Sequence, residues 1–152
     1  MVNTNPAVER ALSYLARFSR TSKQVSDYLA RKQYTPEQIQ DALAYLTERR
    51  YLNDDSFAES FIREKINHKD GPFKIKQMLF QKGIAPEISN RLIESLYPVE
   101  VQQENAAHLM QQKLRSSEPA AKLGHSQREK LFRFVASRGF NRYVIIQAFK
   151  SL

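Results

Sequence analysis

The chain has 152 residues, 41% of them hydrophobic, with four glycines and no tryptophan, enough apolar material for one domain or a string of smaller units. It has no cysteine, which excludes a disulfide framework, a thiolate metal site and a cysteine nucleophile, and which fits a reducing compartment. Lysine and arginine number 24 against 16 acids, a net charge of +8 that favours polyanionic partners such as nucleic acid or an acidic protein surface.

In chain order, Met1-Val2-Asn3-Thr4-Asn5-Pro6 has no basic stretch leading into an apolar run, so no secretory signal is expected. Nowhere do about 18 apolar residues occur in succession, as a membrane-spanning helix requires. The expected location is the cytoplasm. Leu12, Leu15, Ala16 and the nearby Phe18 predict a first helix. Val25, Tyr28, Leu29 and Lys32 follow the i, i+3, i+4, i+7 spacing of a second, over 23–32. After a turn at Gln33-Tyr34, Thr35-Pro36-Glu37-Gln38 offers an N-cap, a proline at the first helical position and a glutamine that completes a capping box. A third helix then runs to about Arg49.

Tyr51-Leu52-Asn53-Asp54 is a tight connection, after which Phe57, Ala58, Phe61 and Ile62 predict a helix capped by Asp54 or Asn53. Gly71-Pro72 is a single turn opening another helix, marked by Ile75, Met78, Leu79 and Lys82 and ended by Gly83. Ala85-Pro86-Glu87 starts the next, which reaches about Tyr97. Ala106, Ala107, Met110 and Leu114 mark a seventh helix. Residues 116–126, with Ser116-Ser117, Pro119 and Gly124, read as a loop. Two further helices follow, one around Leu131 and Val135 that ends at Gly139, and one capped by Asn141 that runs to Leu152.

These elements are three copies of one unit. Val25, Ile75 and Leu131 correspond, as do Leu29, Leu79 and Val135; then Lys32, Lys82 and Arg138; Gln33, Gly83 and Gly139; Tyr34, Ile84 and Phe140; and finally Leu46, Leu96 and Leu152. The expected fold is all-α: three tandem three-helix units at 1–52, 53–98 and 99–152, nine helices in an elongated, curved array. The units carry net charges of +3, 0 and +5. Units this small are marginal alone, so each should need its neighbour.

Little catalytic chemistry is visible. His68, His108 and His125 stand far apart with no metal-ligand spacing. Asp54-Asp55 sits at a helix start, where carboxylates cap and oppose the helix dipole. There is no phosphate-binding loop and no serine elbow. No catalytic residue, metal or cofactor is expected. The aromatic residues fall mostly at helical spacing and read as core. Two basic runs stand out: Arg63, Lys65, Lys69, Lys74, Lys76 and Lys82 in the second unit, and Arg128, Lys130, Arg133, Arg138 and Arg142 in the third. A basic face continuous across neighbouring units would be hard to explain as mere solvation.

The segment Tyr51-Leu52-Asn53-Asp54-x-x-Phe57-Ala58, followed by Gly71-Pro72-x-x-Ile75-x-x-x-Leu79-x-x-Lys82-Gly83-Ile84, resembles the signature of the RecX family of regulatory proteins. Arg138-Gly139-Phe140 and Ile145 match the pattern of that family's third unit. Three positions depart from it: Arg50 and Gln33 stand where the family has glycine, and Met78 replaces a common acid. The resemblance implies a row of three-helix units and a non-catalytic cytoplasmic modulator of the RecA recombinase. Such a protein binds RecA and its filament on DNA, limiting filament growth, ATPase, strand exchange and co-protease activity. The partners so implied are RecA and its DNA filament, with weak direct binding to single- and double-stranded DNA, by a monomer. The basic side chains of the second and third units would then steer the chain into the filament groove.

The alternative is a sequence-independent DNA-binding module, or a helix-turn-helix transcription factor built on helices 23–32 and 36–49. Against it, a recognition helix needs exposed base-reading residues. Helix 36–49 offers Gln38, Gln40 and Asp41, with its basic residues only at the end.

Overall fold

The computed structural model describes residues 4–114 and 122–152, and among them there are nine helices and no strand. In order these are α1 (Pro6–Leu15), α2 (Ser22–Arg31), α3 (Pro36–Glu48), α4 (Asp54–Asn67), α5 (Pro72–Gln81), α6 (Pro86–Leu96), α7 (Val99–Leu114), α8 (His125–Ser137) and α9 (Arg142–Lys150). Within each triplet the first helix lies against the third and the second closes the unit: α1, α2 and α3 pack together, as do α4, α5 and α6, and α7, α8 and α9.

Local chemistry accounts for the helix ends. Thr21 and Thr35 each accept from a backbone N–H three residues on (Gln24 at 3.2 Å, Gln38 at 3.1 Å), while the Gln24 and Gln38 side chains accept from the cap N–H, so both are complete capping boxes. Asn53, not Asp54, caps α4, its Oδ1 accepting from the Ser56 N–H at 3.0 Å. Asn141 caps α9 in the same way at 2.8 Å. Proline stands in the first turn of α1, α3, α5 and α6, where a missing N–H costs nothing.

The repeated positions form the core. Val25, Leu29, Ile75, Leu79, Leu131 and Val135 are all buried, as are Ile84 and Phe140 after the turns. The apolar interior falls into two clusters. One belongs to the first unit, from Ala7 and Ala11 through Val25, Leu29 and Leu46 to Leu52. The other runs unbroken through the second and third units, from Ala58 and Ile62 through Tyr97 and Met110 to Ile145 and Ala148.

Two expectations change. The first helix ends at Leu15 with Ala16 as its C-cap, still helical in conformation and donating its N–H to the Leu12 carbonyl at 3.0 Å; Phe18 lies beyond it and is 66% exposed. Of the loop expected at 116–126, residues 116–121 lie outside the described residues, and His125 and Ser126 belong to α8. That helix starts early because Gly124 leaves its N–H to the Gln127 side chain at 3.0 Å, which nucleates an extra turn.

Candidate functional site

The units meet through one repeated joint. The turn after the second helix of each later unit docks on the start of the second helix in the unit before it. Between the first two units, the Thr21 hydroxyl donates to the Lys82 carbonyl at 2.5 Å, and the Lys23 stem lies over Gly83. Between the second and third, the Gly71 N–H donates to the Arg138 carbonyl at 2.7 Å and the Phe73 N–H donates to the Gly139 carbonyl at 3.0 Å. Both turn glycines have positive φ, 87° and 97°, and a side chain on either would run into the docked helix start. Gln33 takes the same left-handed conformation, φ 68°, but its side chain is exposed to solvent and so fits there. Arg50 is left-handed as well, at φ 63°.

The signature residues serve these joints and the core. Asp54 reaches back to the first unit, where its Oδ1 accepts from the Ser22 N–H at 2.9 Å and hydroxyl at 3.2 Å, holding the start of α2. Leu52 is buried in the first core, Phe57 packs against the second, and Pro72 occupies the first turn of α5. Tyr51 is exposed.

Asp70 is the centre of the second joint. Its buried carboxylate accepts from Lys74 Nζ at 3.0 Å and from Arg138 Nη2 at 3.2 Å, and Arg138 also donates to the His68 carbonyl at 3.3 Å. Behind it the Tyr97 hydroxyl donates to the Asp70 carbonyl at 2.8 Å, while Asn105 donates to that hydroxyl at 3.0 Å and to the Ile66 carbonyl at 3.1 Å. Burial, with the nearby Asp70 charge, pushes the Tyr97 phenol up to about 12, against the Asn105 hydrogen bond that lowers it.

The two basic runs therefore do not form single stripes. Lys74 and Arg138 belong to the joint, and Lys69 sits in the left-handed turn leading into it, φ 63°. Lys65 and Lys82 converge on the Phe61 ring, at 5.2 and 5.5 Å from its centroid. Lys76 borders a separate cleft with Phe73 and Tyr97. Arg63 pairs with Glu59 at 2.9 Å. In the third unit Arg128, Arg133 and Arg142 gather with Phe132 and Phe149 around a cleft of about 600 Å³, and Arg133 pairs loosely with Glu129 at 3.5 Å. Lys130 is exposed and does not line that cleft.

A third basic cluster, in the first unit, stands outside both runs. Tyr14 and Tyr28 stack with centroids 3.9 Å apart, and the Arg20 guanidinium lies over Tyr14 at 4.9 Å and Phe18 at 5.3 Å. Arg10, Arg17, Tyr34 and Glu9 complete a cleft of about 680 Å³. Hydrogen bonds that the Arg10 guanidinium donates to the Tyr34 and Tyr28 hydroxyl oxygens hold it above its ordinary pKa. Its signal in the sequence is faint: aromatic and arginine residues alternate through Arg10, Tyr14, Arg17, Phe18 and Arg20, but there is no dense run of charge to mark it.

Among the described residues no cluster of metal-ligating side chains occurs and no helix is long and apolar enough to cross a membrane. Fold and joints define a class: a tandem array of three-helix units in which the turn of one docks on the helix start of another. The family model described as "RecX, first three-helix domain" matches residues 7–46, and "RecX, second three-helix domain" matches residues 53–91. The chain belongs to the RecX family. It is 31% identical over 137 residues to the Regulatory protein RecX of Clostridium botulinum (strain Eklund 17B / Type B), covering 90% of this chain and 64% of that one. To the Regulatory protein RecX of Bacillus cytotoxicus it is 32% identical over 137 residues, covering 90% and 50%. It spans between half and two thirds of the length of these curated relatives. The crystal structure of RecX from Lactobacillus salivarius superposes with a TM-score of 0.87 at 27% identity, covering 96% of this chain and 94% of that one.

Proposed function

We propose that the protein is a non-catalytic regulator of homologous recombination and DNA repair that binds the RecA recombinase and its nucleoprotein filament, limiting filament growth, ATPase, strand exchange and co-protease activity. The observation that carries this reading is the bonded row of units in a RecX-family chain, with units at 1–52, 53–98 and 99–152 as its modules. Such a row presents several basic patches at fixed spacing. Lys65 and Lys82 beside Phe61, Lys76, and the Arg128, Arg133 and Arg142 cleft supply the filament-facing charge. Their share of the affinity is sensitive to salt. Lying along the filament groove, the row bridges adjacent protomers and obstructs incoming duplex. It acts as a monomer in the cytoplasm, where the recombinase works, and needs no cofactor.

The test is to add the protein to preformed RecA filaments on single-stranded DNA while following ATP hydrolysis. A progressive fall in rate is expected, with a shallower fall for Arg128→Gln combined with Arg142→Gln. An unchanged rate at saturating protein refutes the proposal. The helix-turn-helix alternative gains no support from the geometry, since Gln38 is spent on the Thr35 capping box, leaving Gln40 and Asp41 exposed on α3.

A further inference from the structure

We infer that the first-unit cleft is a binding site for an unpaired nucleotide of a single strand, its base laid on Phe18 and its flanking phosphates held by Arg10, Arg17 and Arg20. This deepens the DNA side of the proposed function, adding a site that neither basic run contains. Phe18 is a large aromatic ring left 66% exposed just past the end of α1; Phe73 and Phe80 are as exposed, but Phe18 lines a cleft together with Arg10, Arg17 and Arg20. Its neighbour is pre-set: the Arg20 guanidinium lies over both the Tyr14 and the Phe18 rings, and Tyr14 is in turn stacked on Tyr28. Such packing fixes the planar fork and reduces the entropy lost when it grips an oxyanion. The Arg20 Nε is buried without a hydrogen-bond partner, so none of that atom's donor capacity is spent on holding the fold.

The arrangement argues for a strand over a free nucleotide. Arg10 on α1 and Arg17 in the turn just past its end line the same cleft, beside the exposed Phe18 ring. Two cations so placed reach phosphates on either side of one base. An exposed ring beside fixed guanidiniums is the usual means of holding single strands, because every base has a face to stack and duplex bases are not available to do so. An acidic peptide would find the same arginines but would have no use for the open face of Phe18.

Fluorescence anisotropy of a labelled oligo(dT) of about 12 nucleotides, with the full chain and no recombinase, tests the site separately from the filament reading. Phe18→Ala and Arg20→Lys are each expected to weaken single-strand binding by about tenfold, the worth of one stacked base. Arg31→Gln, which removes an exposed charge of the same unit outside the cleft, is expected to change it less than about twofold, since a cation that grips no phosphate acts only through the salt-screened field. Binding to a duplex of the same length should be indifferent to Phe18→Ala. The inference is overturned if Phe18→Ala, in a chain with the parent's circular dichroism, binds the strand as the parent does. It is also overturned if thymidine monophosphate or polyglutamate competes as well as unlabelled strand. Any of these results leaves the effect on RecA filaments to be judged by its own assay.

Discussion

Gly71 and Gly139 touch backbone to backbone across the joint between the second and third units, and neither has room for a side chain. A Cβ on Gly71 would come within 2.6 Å of the Phe140 nitrogen, and one on Gly139 within 2.7 Å of the Lys74 Cβ. Gly139→Ala therefore combines the penalty of a side chain at φ 97° with displacement of two backbone hydrogen bonds, the Gly71 to Arg138 and Phe73 to Gly139 bonds. A loss of about 3 kcal/mol is expected in urea denaturation. The corresponding Gly83→Ala also meets a fixed atom, the Lys23 Cβ, but it displaces no pair of backbone hydrogen bonds like those at Gly139 and should cost less. Equal costs would show that the two joints bear load alike, against the difference in their bonding.

Gln33 and Arg50 make the opposite case. Each holds a left-handed conformation with an exposed side chain. Gln33→Gly and Arg50→Gly should each stabilise the chain by up to about 1 kcal/mol, the left-handed penalty for a residue with a Cβ less the added freedom of glycine when unfolded. Differential scanning calorimetry of the two single variants and the double variant checks this. A lowered melting temperature in both singles would mean that their side chains help to hold the fold after all.

Much of this architecture was legible in the sequence because the repeat carries its own signals: apolar spacing in each helix, capping residues at the starts, glycine or a substitute at each turn. What the sequence could not show was the purpose of those turns. Gly83 and Gly139 end helices, as any helix-terminating glycine does, but they are indispensable because another unit's helix start lies on them. Asp54 looked like a cap for its own helix and serves a different one. The basic runs divide among separate places for a related reason. Neighbouring residues on a helix point in different directions, so Lys74 and Arg138, distant in sequence, meet at Asp70, while Lys65 and Lys82 meet at Phe61. The Arg20 cleft has the opposite character, with few charges in the chain but several brought together by folding.

Arg138 and Arg133 belong to the same run, and they should separate by experiment. Arg138→Gln removes one of two cations from a buried carboxylate and leaves the His68 carbonyl without that donor. It is expected to cost about 2 kcal/mol. Arg133→Gln breaks only an exposed pair with Glu129 and should cost under about 0.5 kcal/mol. If binding to the RecA filament falls in proportion to stability for Arg138→Gln but without loss of stability for Arg133→Gln, the first acts through the joint and the second by touching the filament directly. Equal stability of the two variants would remove Arg138 from the joint's framework.

Tyr97 gives the joint a signature at high pH. In the folded chain its hydroxyl donates to the Asp70 carbonyl and ionises only at about 12, whereas an unfolded tyrosine ionises near 10. Because the folded value is the higher, the contribution of Tyr97 to stability is complete below about pH 10 and is lost as pH rises towards about 12. Tyr97→Phe cannot ionise. At neutral pH it should be less stable than the parent by about 1 kcal/mol for the lost hydrogen bonds, and the gap should close or reverse between about pH 10 and 12. Every other ionisable group is common to both chains, so the difference between parent and variant isolates Tyr97. Urea midpoints measured across this range check it, and a constant gap would show that the Tyr97 hydroxyl is not held in the buried bond to Asp70.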